Sequence, residues 1–354
     1  MSPSLVQSLG LTVPLVQAPM AGTSTPALAA AVSNAGALGS LGIAALNADQ
    51  ARAVILDTRA RTDRPFNVNV FCHQPALRDD AREAAWLRHL APLFTGLGGE
   101  VPSTLREGYT SYPNDEATQR MLLETRPAVV SFHFGLPAHE WIAALRDAGI
   151  VTIATATNLQ EAQAIEAAGV DAIVAQGIEA GGHRGVFDVD APDEQLSTLV
   201  LTRLLVTHTS LPIIAAGGIM DGRGVRAALA AGAVAAQLGT AFVTCPESAA
   251  SEAYRANLVS DRATRTLVTR AISGRPARGL VNRFIEWCEM PGSPVSPSYP
   301  LPFDAAKQLF ALAAASEAGR EFAAHWAGQG APLVRPMPAA DLVRLLDEEL
   351  RASA

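Results

Sequence analysis

Between residues 169 and 245 the chain carries three short apolar runs, and each one breaks into glycine: GVDAIVAQGIEAGGHRG, LPIIAAGGIMDGRG and GAVAAQLGTAF. The runs are rich in Val, Ile and Ala and have no wet face, which is the signature of parallel strands buried on both sides. Glycine at the carboxyl end of such a strand lets backbone amides approach a phosphate or a flat ring. As strands 6, 7 and 8 of a (β/α)8 TIM barrel, these segments would set their glycines in the loops where such barrels commonly hold phosphate. A phosphorylated cofactor is therefore expected before any catalytic residue is considered.

A second regularity supports the barrel. An alanine-rich helical stretch, then Ala-Gly, then an apolar strand recurs at Ala35-Gly36, Ala148-Gly149, Ala168-Gly169 and Ala231-Gly232. Glycine just past a helix end is the left-handed cap that turns the chain toward the next strand. The remaining runs give eight candidate strands: 14–18, 37–43, 66–71, 128–133, 151–154, 172–175, 212–216 and 233–238. With helical patterns between most of them, the fold class is α/β. An open dinucleotide-binding sheet is the rival, because Gly222-Arg-Gly224-Val-Arg-Ala227 matches GxGxxA. The match is weak, since the next strand ends in Gln237-Leu-Gly239 and not in an acidic residue that could hold a ribose.

A barrel takes about 250 residues, so 354 residues leave room for elaboration. The expected division is a barrel over residues 1–245, with a long excursion at about 72–127, followed by a cap or lid with C-terminal helices over 246–354. Part of that last region is left to complete the barrel. The excursion exceeds a usual crossover, and such lengths are commonly functional. The proline-rich MPGSPVSPSYPLPF reads as a stiff link within the cap. A hydrophobic fraction of 49% against 17% charged residues suits a large core. Net charge −7 offers no footprint for nucleic acid or an anionic membrane. Cys72, Cys245 and Cys288 are odd in number and form no CxxC pair, which argues against a disulfide framework or zinc site. No stretch resembles a signal peptide or a membrane span, so a soluble cytoplasmic protein is expected.

The strand tips carry the polar residues. Strand 1 delivers Ala18-Pro19-Met20-Ala21 to the mouth, where a methionine or a backbone amide can pack on a ring. On strand 3, Asn67 and Asn69 share a face, and a buried amide there needs partners. His133 follows a wholly apolar strand 4 at the functional end, suited to a general base or a switchable hydrogen-bond donor. His183, beside an arginine in GGHRG, either contacts an anion or closes its loop. His73, His89, His139, His208 and His325 read as structural or exposed. Gln176 and Gln237 suit the heteroatoms of a flavin, and Gly217-Gly218 with Gly239-Thr240 would offer amides and a hydroxyl to phosphate. No His and carboxylate cluster has metal-ligand spacing, so no metal site is expected.

Taken together, QAPMAG, FNVNVF, VVSFHFG and the three glycine-ended runs resemble the nitronate monooxygenase family, formerly called 2-nitropropane dioxygenases, over residues 13–245. Within it the chain is most similar to the class I enzymes. The resemblance implies His133 as the catalytic residue and non-covalent FMN around Asn69, Gln176, Gly181, Gly218 and Gln237-Leu238-Gly239-Thr240. Met20-Ala21-Gly22 would line the flavin. YPLPFDAAK resembles the family's site-lining stretch, implying Tyr299 and Lys307 at the substrate, with Tyr109 arriving from the excursion. One tyrosine of that stretch is matched here by Phe303. The implied activity is FMN-dependent oxidation of alkyl nitronates by O2 to carbonyl compounds and nitrite. A nicotinamide-dependent flavin reductase with a quinone or enoyl-thioester acceptor, and a non-enzymatic flavin sensor, stay open as alternatives. A sugar-phosphate isomerase or aldolase would need a carboxylate base or Schiff-base lysine at a strand tip, and none is seen.

Overall fold

Eight parallel strands form the centre of the computed structural model, which describes residues 5–108, 110–314, 318 and 321–352. They are β1 (Leu15–Gln17), β2 (Gly39–Gly42), β3 (Phe66–Phe71), β4 (Val129–His133), β5 (Val151–Ala156), β6 (Ala172–Gln176), β7 (Ile213–Ala216) and β8 (Ala235–Leu238). Each overlaps its expected segment. Neighbours pair in chain order from β2 to β8, and β8 pairs β1 through Leu15↔Ala236 and Gln17↔Leu238. The remaining seam is closed by a parallel bridge between Val16 and Leu38. The sheet is a barrel, not an open dinucleotide-binding sheet.

The Ala-Gly steps do what their chemistry predicts. Ala35, Ala148, Ala168 and Ala231 end their helices, and the following glycines sit at φ +94°, +77°, +78° and +100°. Only glycine takes that left-handed region at little cost. The helices bury their inner faces against the strands, as with Ile142 and Leu145 or Leu201 and Leu205. Inside the barrel, Val16, Ile153, Val174 and Ile214 form a separate core, with Leu5, Val6 and Leu9 packed against it.

The GxGxxA match has a packing explanation. Gly222 opens the helix Gly222–Ala230, and a Cβ there would lie 2.4 Å from both Glu349 Cβ and Leu350 N. Those atoms belong to the C-terminal helix Ala339–Ala352, which buries Leu342, Val343 and Leu346 against this helix and Pro26–Asn34. Gly222 is thus needed for two helices to approach closely.

A further core joins segments distant in sequence. The excursion helix Asp80–Gly96 contributes Trp86, Leu90 and Phe94, and the helix Leu301–Ala314 contributes Leu301, Ala305 and Leu309. A small antiparallel sheet of Thr266–Thr269, Ala277–Leu280 and Gly182–His183 ties the loop after β6 to the chain that follows the barrel strands. Its two-residue third strand has no hydrophobic pattern, so no local signal marks it in the chain. Cys72, Cys245 and Cys288 are buried with free thiols. Among the described residues no helix is long and apolar enough to cross a membrane.

Candidate active site

A cavity of about 330 Å³ opens at the carboxyl ends of the barrel strands. Its walls follow from the two-residue period of the strands, which sends alternate side chains inward. Asn67, Asn69 and Phe71 come from β3, Ser131 and His133 from β4, and Val174 and Gln176 from β6. Strand register sets Asn69 opposite Ser131 and Phe71 opposite His133.

His133 occupies the centre of this arrangement. Its Nε2 lies 3.2 Å from the carbonyl oxygen of His183, which can only accept, so Nε2 carries the proton and Nδ1 the lone pair. Burial lowers its pKa to about 4, against the raising effect of that hydrogen bond, and Arg275 and Arg184 lower it further. The imidazole is neutral near pH 7. The same carbonyl accepts from Gln176 Nε2 at 2.9 Å. Gln176 Oε1 accepts in turn from Gly185 N at 2.8 Å, which fixes the amide's orientation.

His183 is pinned at its own ring, where Nε2 meets Ser273 Oγ at 2.8 Å. Burial, then the proximity of His133, Arg275 and His73, lowers its pKa to about 3. Its ring packs edge-on against Phe134 and Tyr299, with centroids at 5.5 and 5.8 Å. His73 joins the same wall through Tyr299 at 4.9 Å, and the Arg275 guanidinium covers Phe134 at 4.2 Å. The arginine beside His183 does not line the cavity. Arg184 is fully buried, paired with Asp193 at 2.8 and 2.9 Å, and donates to the carbonyls of Gln176 and Gly177. It holds the β6 tip in place.

At the other end of the cavity, Gly217 and Gly218 adopt φ +133° and +68°, turning the chain after β7. Gly239 follows β8, and Thr240 opens the short helix Thr240–Val243. A strap from the C-terminal region crosses here. Gly328 N donates to Thr240 Oγ1 at 2.9 Å, and Gln329 N donates to Glu179 O at 2.9 Å. A Cβ on Gly181 would sit 2.4 Å from Gly328 N, so the two backbones touch.

Of the residues singled out from the sequence, His133, His183, Lys307, Met20, Ala21, Gly22, Asn69, Gln176, Gly181, Gly217, Gly218, Gln237, Gly239 and Thr240 all line the cavity. Leu238 does not line it, because its side chain alternates outward into the core with Phe242 and Leu15. Tyr299 stands one layer back, against His73, Phe134 and His183. Tyr109 lies outside the described residues. Sequence reasoning missed Trp326, Gly328 and Gly330, which also line the cavity. The glycines of the WAGQG stretch were the available signal.

The residues present fit a flavin phosphate. Gly239, at φ −107°, has space where a Cβ would make only ordinary contact with Ala18 and Met20, at 3.4 and 3.9 Å. Asn67 Oδ1 is buried in the cavity wall with no hydrogen-bond partner, an acceptor suited to a ring N–H. Among the described residues no group of three or more His, Cys, Asp or Glu could hold a metal ion.

Comparison with known proteins agrees with this chemistry. A family model described as nitronate monooxygenase matches residues 2–349. The chain is 58% identical over 352 residues to a nitronate monooxygenase of Paraburkholderia phytofirmans, covering 99% of this chain and 95% of that one. It is 54% identical to a nitronate monooxygenase of Pseudomonas aeruginosa, covering 99% and 100%. Among solved structures, nitroalkane oxidase from Streptomyces ansochromogenes superposes with a TM-score of 0.91 at 41% identity, covering 99% of both chains.

Proposed function

This chain belongs to the nitronate monooxygenase family, and from that premise we propose that it oxidises alkyl nitronates with O2 to carbonyl compounds and nitrite, using bound FMN. The observation that carries the reading is a neutral, half-buried His133 whose Nε2–H is already given to His183 O, at the wall of a cavity with a glycine-lined end.

Asn69, Gln176, Gly181, Gly218, Gln237, Gly239 and Thr240 would hold the cofactor, with Met20, Ala21 and Gly22 along its edge. Bound flavin supplies the electron acceptor for the nitronate and the reductant for O2. Asn69 Nδ2 is spent on Ser131 O and Oγ, at 3.1 and 2.9 Å, which leaves its carbonyl oxygen for a ligand donor. That acceptor at one end of the cavity and the glycine amides at the other would together orient the ring.

The tautomer of His133 sets what it can do to a substrate. With Nε2 committed, only Nδ1 is left, and in the neutral ring it accepts. A nitro oxygen bearing negative charge therefore needs a proton on Nδ1 to bind there. The anion itself favours that proton, because its charge opposes the desolvation that holds the pKa down. A nitronate would enter together with a proton, whereas a neutral nitroalkane would give its own proton to Nδ1. Both routes reach one complex, an imidazolium beside a nitronate. Lys307, at the mouth, adds positive charge for an anionic substrate.

The test is anaerobic mixing of the FMN-loaded protein with a small alkyl nitronate, followed by air and a nitrite assay. Rapid bleaching of the flavin and stoichiometric nitrite are expected. Bleaching by NADH or NADPH, with indifference to nitronate, would overturn the reading in favour of a nicotinamide-dependent reductase.

A further inference from the structure

The chain contains a single lysine. All other basic side chains among its 27 Lys and Arg residues are arginines, and the one exception, Lys307, lines the mouth of the active-site cavity. We propose that Lys307 Nζ is a carbonyl-capture site, on which an aldehyde or ketone leaving the cavity condenses to a reversible imine that blocks the mouth. The proposal rests on the reading above, which makes a carbonyl compound the product.

Three features support it. The first is chemical selectivity: a guanidinium stays protonated and does not condense with a simple carbonyl under mild conditions, whereas an ε-amine does. The surface is thus closed to this reaction everywhere but at Lys307 and the α-amine. The second is position. Lys307 is exposed on the helix Leu301–Ala314, one turn from Phe303, and both side chains line the cavity from which product departs. Holding two reactants together raises their effective concentration far above that in bulk solution. The third is the ring beneath it. Nζ lies 4.5 Å from the Phe303 centroid, a cation–π distance.

The step balances without an added reagent. The ammonium lends one proton to solvent, the Nζ lone pair so freed attacks the carbonyl carbon and a C–N bond forms, and the proton returns to the carbonyl oxygen as the C–O bond breaks. The carbonyl compound and the lysine ammonium together give a protonated imine and a water molecule. The carbonyl oxygen leaves as that water, carrying away two of the three ammonium protons, and the third stays on the imine nitrogen. Nothing is oxidised or reduced. The charge is conserved, so the Phe303 face that holds the ammonium also holds the iminium. Accumulating carbonyl product then slows the enzyme at its own door, and dilution reverses the effect.

The test has two arms, both on the FMN-loaded protein. In the first, propanal and cyanoborohydride are added directly, so that any imine is fixed as a propyl amine and located by peptide mass mapping. An α-amine titrates at about 7.7–8.0 and a free lysine at about 10.4, so in the urea-unfolded chain the α-amine takes the label first. In the folded protein the order is expected to invert, with Lys307 about tenfold ahead. Anaerobic nitronate should suppress the label at Lys307 and leave the α-amine unaffected. Lys307→Arg should remove the label from its peptide. A folded protein that labels first at the α-amine, or at Lys307 without regard to an occupied cavity, overturns the proposal.

In the second arm the carbonyl is made in place, by turnover of propyl-1-nitronate in air with cyanoborohydride present and nitrite assayed in parallel. Propylation of Lys307 should rise with nitrite. Nitrite without label at Lys307 overturns product capture. No nitrite would instead overturn the proposed activity, and the capture of product with it, while the first arm still decides whether Lys307 is a carbonyl-reactive site.

Discussion

His133 gives its Nε2–H to the backbone carbonyl of His183, 3.2 Å away across the gap between β4 and the loop after β6. The contact selects one tautomer of the neutral imidazole and makes Nδ1 its acceptor. It also makes the histidine's orientation depend on the small sheet, since His183 pairs with Ala277 and is held at Ser273.

His133→Asn should therefore keep the flavin and lose the acceptor. Flavin absorbance of the purified variant is expected to match the parent, while anaerobic bleaching by nitronate slows by about 10²–10⁴-fold, the usual cost of removing a general base. A variant that bleaches at the parent rate would show that the imidazole takes no part in the reaction.

Acid should weaken the fold. His73, His133 and His325 have pKa values lowered to about 4, and His183 to about 3, each chiefly by burial. An unfolded histidine titrates near 6.5. Between pH 6.5 and 4 the unfolded chain thus binds more protons than the folded one. The stability is fully present above pH 6.5 and is lost as pH falls through that window, by up to about 1.4 kcal/mol per pH unit for each histidine. Melting temperature should drop steadily from pH 7 to pH 4.5, and His325→Gln, away from the cavity wall, should flatten the slope. A melting temperature that is constant or rises over this range would contradict the burial of these rings.

The barrel could be anticipated from the chain because its signals are local. A glycine after Ala35 or Ala148 answers to the φ of one residue, and a strand such as Phe66–Phe71 answers to its own apolar pattern. His133 and Gln176 were found for the same reason, as polar residues ending apolar strands. The strap at Trp326–Gly330 was not, because its glycines are explained by partners far away: Gly328 meets Thr240 and Gly181. His73 sits in a loop and takes its place in the aromatic wall from Phe134 and from Tyr299, which comes from far along the chain. Gly222 misled in the opposite sense, as a local motif whose cause is contact with the helix Ala339–Ala352. Residues set by one strand or one turn can be read in sequence, and those set by the meeting of distant segments cannot.

Arg184 tests how the β6 tip is held. Its guanidinium is fully buried against Asp193 and the carbonyls of Gln176 and Gly177. Stranding a fully buried partner costs about 3–5 kcal/mol, and the part of Asp193 that stays exposed to water reduces that cost here. Arg184→Met should lower the urea midpoint sharply and release flavin along with it. An unchanged midpoint would mean that Asp193 and the two carbonyls find water when the arginine is gone.

The placement of the flavin phosphate can be tested without disturbing the backbone, provided the right glycine is chosen. Gly218 is unsuitable, because at φ +68° any side chain is strained whether or not a ligand is present, and its Cβ would lie 3.1 Å from Glu179 Cβ. Loss of flavin from Gly218→Val could then follow from misfolding alone. Gly239 separates the two causes. Its φ of −107° accepts any residue, and a Cβ there makes only ordinary contact with Ala18 and Met20, at 3.4 and 3.9 Å. Gly239→Val should therefore fold with a ligand-free melting temperature close to that of the ligand-free parent, yet place methyl groups where the phosphate end of FMN is expected. Purified protein should be nearly colourless, and titration with FMN should show at least about a tenfold loss of affinity, or about 1.4 kcal/mol. Normal yellow colour and unchanged affinity in a folded Gly239→Val variant would move the phosphate away from the β7 and β8 tips and leave the glycines there without a ligand to explain them.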